Sequence, residues 1–228
     1  VKEHEWRTSA DGDALVRYWG SKFTERTARL LMLACCQRVR RFFRHDALAS
    51  ALQRLERHYA NPDKPNEPFE GDAARRAYRA CNRIASGRVR DPGRGVAFGV
   101  LAAVEPNSIA DELEEDFAFL TYSCAHDISD GFADGAEADE GAAQADIVRE
   151  ILGNVFRPVT FDARWRTSDA VALARQMYKT QKFGAMPILA DALQEAGCED
   201  EQVLAHCRDT ALAHRRGCWV LDAVLGAR

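Results

Sequence analysis

The chain has 228 residues, 46% hydrophobic and 29% charged, with a formal net charge of −4. That is enough apolar residue to bury a sizeable core, and the balance excludes wholesale disorder. No apolar run approaches the roughly 20 residues that span a bilayer, and the opening Val1–Arg7 is charged, so the expectation is a cytoplasmic protein with no membrane partner.

Taken in order, the elements predicted from periodicity are almost all helical. Thr24 caps a helix expected to run through Arg44, with Leu30, Leu31, Leu33, Ala34, Val39 and Phe42 at close to a 3.6-residue spacing. A second helix begins at Asp46, with Leu48, Leu52 and Leu55 on one side and Tyr59 near its end. The Pro-rich stretch Asn61–Pro68 breaks the pattern, Asp72–Ala85 restores it, and Ser86–Gly95 reads as a loop. Ser108 and Asp111 precede an expected long helix through Phe117, Leu120, Cys124 and Ile128. Gly131, Gly135 and Gly141 interrupt an acidic stretch before a helix at Ala142–Leu152, closed by Gly153.

Residues Asn154–Arg166, with Pro158 and β-branched Val155, Val159 and Thr160, read as irregular or as one strand lacking a partner. Ser168 starts the next helix, and Pro187 sits in the first turn of another that ends at Gly197. The fold class expected is all-α, a globular bundle of about eight to ten helices. It forms one domain over 1–228, with a basic sub-half 1–95 and an acidic sub-half 96–228. Residues 1–100 carry a net charge of +8 and residues 101–228 one of −12, which favours two halves attracting each other.

Several segments resemble a known family. The N-terminal EHEWRTSADGDALVRYWGSKFTERTARLLMLACCQRVR and the C-terminal GNVFRPVTFDARW, MPILADALQEAGC and LAHCRDTALAHRRGCWVLDAVLG are similar to a helical family of planctomycete-type bacteria. The resemblance covers both ends of the chain and implies no activity, substrate or cofactor. Where that family carries a Gly/Pro-containing turn ahead of the histidine matching His214, this chain has Asp209-Thr210-Ala211-Leu212-Ala213.

The densest chemistry lies near the C-terminus, where Cys198, His206, Cys207, His214 and Cys218 fall within one short segment. Thiolate and imidazole suit the borderline-soft zinc ion, and a structural zinc site closes a tetrahedron with four of them. Spacing selects Cys198, Cys207, His214 and Cys218 as the ligand set. His206 and Cys207 are neighbours and point apart on a helix, so only one of them serves. The competing reading makes the cysteines small buried hydrophobes and the histidines helix-end caps. The odd total of seven cysteines, mostly within helical patterns, argues for reduced thiols. Cys124 with His126 lacks the geometry of a nucleophile and its base. The acidic run from Asp127 to Glu140 lacks the alternating ligand pattern of a calcium loop.

Arg40, Arg41 and Arg44 form the arginine-rich face best suited to phosphate, and so to nucleic acid. No phosphate-cradling glycine motif is present. The reading favoured from sequence is a non-enzymatic interaction or regulatory module that binds a protein partner through a helical groove or its charged faces. A metal- or cysteine-dependent enzyme using the C-terminal cluster comes second, and nucleic-acid binding third.

Overall fold

The structure, a computed structural model, describes residues 1–38, 40, 46–59, 61, 63, 71–85 and 136–227. Among the described residues it contains ten α-helices and no strand, in agreement with the expected all-α class. In chain order they are α1 (Glu3–Thr8), α2 (Gly12–Trp19), α3 (Glu25–Arg38), α4 (Asp46–Tyr59), α5 (Gly71–Ala85), α6 (Ala136–Leu152), α7 (Ser168–Thr180), α8 (Met186–Glu195), α9 (Glu201–Arg208) and α10 (Trp219–Leu225). None of the helices among the described residues is long and apolar enough to cross a membrane.

Helix α6 is the internal strut, packing against α2, α3 and α10, while α3 carries α4 and α4 carries α5. The C-terminal helices close on one another, α10 against α7 and α9, and α8 against α7 and α9. Their shared core includes Leu30, Leu31 and Leu33 from α3, Ile147, Val148 and Ile151 from α6, and Val220, Leu221 and Val224 from α10. Full burial of side chains of this size contributes roughly 1.5–3 kcal/mol each. Helix α10 is short, and residues Trp219–Val224 are all buried, so tertiary packing rather than helix propensity holds it.

The structure refines the sequence reading in three places. Helix α6 starts at Ala136 rather than Ala142 and runs straight through Gly141. A Cβ on Gly141 would lie 3.1 Å from the Ala10 carbonyl oxygen, so glycine serves here to admit the neighbouring backbone, not to end the helix. Residues 154–166 form no strand; they are irregular apart from a 3-10 turn at Ala163–Trp165. Helices α1 and α2 were not foreseen, and both are anchored from α6. Trp6 of α1 is 1% exposed and its indole N–H donates to the Gly153 carbonyl at 3.1 Å. Arg149 of α6 donates to the carbonyls of Trp6, at 2.6 Å, and of Ser9.

A buried ion pair ties the two ends of the chain together. Arg26 of α3 and Asp222 of α10, 4% and 3% exposed, face each other bidentately, and the Tyr178 hydroxyl of α7 also donates to Asp222. The Gly217 N–H donates to the same hydroxyl at 2.8 Å. Arg26–Asp222 runs in the sense the charge split suggests, whereas Arg157–Glu3, Arg175–Asp63 and Arg216–Glu56 run the other way. Pairing between the halves therefore follows individual geometry rather than the net charge of each half.

Candidate metal centre

Three elements bring four donors together behind α10. Glu150 lies in the last turn of α6 and is 5% exposed. His206 lies in the last turn of α9, whose start is fixed by Asp200 accepting from the Gln202 and Val203 N–H groups at 2.9 and 3.1 Å. His214 comes from the segment joining α9 to α10, and Cys218 is the residue that precedes α10.

The joining segment is shaped by a turn, not by a helix. The Cys218 N–H donates to the Arg215 carbonyl at 3.1 Å, and Gly217 has φ +88°, a value that glycine adopts readily at the third place of a turn. Spacing allowed His214 and Cys218 to share a helical face or to be parted by Gly217. The chain does turn at Gly217, yet the turn folds the two side chains towards each other. Arg216 holds it in place by donating to the Tyr178 carbonyl at 2.6 Å.

The donor atoms of Glu150, His206, His214 and Cys218 all lie within 4.8 Å of one another. His206 Nε2 is 3.2 Å from Cys218 Sγ and 3.4 Å from Glu150 Oε2, and His214 Nδ1 is 3.1 Å from Glu150 Oε1. The edges of a tetrahedron built on ordinary zinc–ligand bonds are about 3.3–3.6 Å. The three short approaches are near that size, two of them to different oxygens of Glu150. The four-donor set spans up to 4.8 Å, so the side chains would draw in around an ion.

Burial perturbs the titratable groups of the cluster and leaves one of its polar atoms without a partner. Burial holds the His206 imidazole down at about 4, against an ordinary 6.5, so at neutral pH it brings no positive charge to Glu150. Burial, and then the Glu150 carboxylate, push the Cys218 thiol well above its usual range. His214 Nε2 is buried with no hydrogen-bond partner. If Nδ1–H donates to Glu150, the Nε2 of neutral His214 is a lone pair without a donor; if His214 is protonated, Nε2–H has no acceptor. Such an orphan costs roughly 1–3 kcal/mol. Arg215 is a counter-charge already coupled to Glu150: burial lowers its pKa and the carboxylate opposes that, and an arginine stays charged at neutral pH.

The His206 shift predicts a pH effect in the metal-free protein. Below about 6.5 the unfolded chain protonates His206, while the folded chain resists until about 4, so stability falls as pH drops through that window. The full loss is about 3 kcal/mol. Urea midpoints of the metal-free parent and a His206→Gln variant, compared between pH 7 and pH 4.5, should show the parent losing more. Equal losses would contradict the assignment.

No family model, curated protein or solved structure matches this chain.

Of the ligands selected by spacing, His214 and Cys218 are in the cluster, and Cys198 and Cys207 are not among its members. Cys198 closes α8: its N–H donates to the Leu193 carbonyl and that of Gly197 to the Gln194 carbonyl, both at 2.9 Å. This is a Schellman motif, whose second residue past the cap commonly packs on the helix it ends. Cys198 is accordingly fully buried as an apolar residue. Cys207 is also fully buried, with its thiol pushed up to about 12, chiefly by burial. Of the neighbouring pair, His206 rather than Cys207 belongs to the candidate cluster. Glu150 was missed because it lies far upstream in what reads as an ordinary amphipathic helix.

The arginine face is only partly covered. Arg40 is exposed, while Arg41 and Arg44 lie outside the described residues. Cys124, His126 and the acidic run from Asp127 to Asp134 also lie outside them, as does the expected helix from Ser108 to Ile128. Among the described cysteines, Cys35, Cys36, Cys81, Cys198, Cys207 and Cys218 are all buried.

Proposed function

We propose that this chain is a helical module organised around a structural zinc ion held by Glu150, His206, His214 and Cys218. The observation that carries the reading is the convergence of four donors of zinc-binding type, from three elements, within 4.8 Å of one another. A carboxylate, two imidazoles and a thiolate fill a tetrahedron and leave no coordination position for a substrate, which favours a staple over a catalytic metal. Bound zinc would add to the positive charge that Arg215 brings to Glu150 and hold the Cys218 thiol as thiolate. The staple would join α6, α9 and α10, fixing the C-terminal helices to the bundle as a rigid surface for the protein partner expected from the sequence.

Elemental mass spectrometry of the zinc-reconstituted full chain tests this. About one zinc per chain is expected. The metal should be lost in Cys218→Ser and Glu150→Ala and kept in Cys198→Ser and Cys207→Ser. Absence of stoichiometric zinc from the parent, or its loss with Cys198 or Cys207 instead, would overturn the reading.

A further inference from the structure

A sealed metal site still needs a way in, and the four donors are not sealed equally. The side chains of Glu150 and His214 are each 5% exposed and Cys218 is fully buried, whereas the His206 side chain is 11% exposed. His206 alone of the four lines a surface cleft of about 470 Å³, whose walls include Trp6, Ala205, Leu212 and Trp219. Its ring lies against the Trp219 ring at 5.2 Å between centroids, so Trp219 backs it within that wall.

The mountings of the four residues differ in the same sense. Glu150 stands on the strut α6, and Cys218 is bound into the turn that Tyr178 and Arg216 pin down. His206 stands at the end of α9, and the segment after that helix, Asp209–Ala213, is exposed throughout. Turning the His206 ring outward moves a side chain at a helix end into open space. Releasing Glu150 or Cys218 first would mean opening the core.

We propose that this cleft is the port through which the metal ion enters and leaves, with His206 as the ligand that detaches first. The inference rests on the metal centre argued above. In the exchange the His206 nitrogen–metal bond breaks, and a nitrogen or sulfur donor of a small chelator in the cleft takes its place. The remaining ligands then follow, and the metal stays divalent throughout. The centre is thus exchangeable with small soft-donor chelators without unfolding of the chain.

The test is the rate at which the zinc-loaded full chain gives up its metal to 4-(2-pyridylazo)resorcinol, with zinc stoichiometry measured in parallel. Ala205 is exposed, lines the cleft and is not a ligand. Ala205→Phe should screen His206 and slow release by about tenfold, a barrier change of about 1.4 kcal/mol. Leu212→Ala should widen the cleft and speed release several-fold, and both variants should still hold one zinc per chain. If either variant fails to fold, the other decides. A parent that binds no zinc would overturn the metal centre and the port together. Bound zinc whose release ignores the cleft variants, or proceeds only at the rate of global unfolding, would overturn the port alone.

Discussion

Asp222→Ala is expected to destabilise the protein by about 3–5 kcal/mol, the typical cost of stranding one partner of a buried ion pair. Arg26 would be left 4% exposed with no carboxylate in front of it, and the Tyr178 hydroxyl would lose an acceptor. That hydroxyl also receives the Gly217 N–H, so the disturbance reaches the turn that presents Cys218. A reduced zinc affinity should therefore accompany the loss of stability.

The double variant Arg26→Met/Asp222→Leu separates charge from packing. Arg26 Nε is buried without a partner even in the intact pair, so the pair is incompletely satisfied. Removing both charges should recover most of the loss, since an apolar replacement of matched volume is often neutral or better. Urea denaturation of the two variants in the metal-free state checks this. A double variant less stable than Asp222→Ala would show that the pair contributes more than the penalty of breaking it.

Zinc is expected to produce the other large effect. A ligand that binds only the folded state, present at a thousand times its Kd, adds about 4 kcal/mol. Chelation should therefore lower Tm markedly in the parent. In Cys218→Ser, which lacks the thiolate, chelation should change Tm little. Cys198→Ser should behave differently: it should lose stability by disturbing the end of α8, yet respond to chelation as the parent does. A Tm insensitive to chelation in the zinc-loaded parent would contradict a folding role for the metal.

The fold was legible in the sequence wherever a helix is long and one-sided. The expected starts at Asp46 and Ser168 match α4 and α7, and Pro187 falls in the first turn of α8. Helix α1 was not legible because it is only six residues long and mostly polar; Trp6 anchors it through a tertiary contact with Gly153 that no local pattern encodes. Gly141 misled because glycine both breaks helices and admits close neighbours, and only the presence of Ala10 opposite tells the two apart.

The candidate site was half legible for a related reason. Ligand density pointed to the C-terminal segment, and two of the residues chosen from it, His214 and Cys218, belong to the candidate cluster. Between His206 and Cys207, spacing cannot say which faces Glu150, because they lie side by side on a helix whose orientation is set by α8 and α10. Cys198 looked like a ligand by identity, but its place just past Gly197 is one that helix termination itself asks to be buried. Glu150 could be found only once the fold had laid α6 beside the C-terminal turn.

The most direct test of the centre is the absorption spectrum of the cobalt(II)-substituted protein, taken for the parent and for Cys198→Ser, Cys207→Ser and Cys218→Ser. Tetrahedral d–d bands with charge transfer from a single thiolate are expected, abolished in Cys218→Ser and unchanged in the other two. A spectrum carrying three thiolates and losing intensity with each substitution would instead place the metal among the cysteines selected by spacing, and would contradict the Glu150, His206, His214 and Cys218 centre.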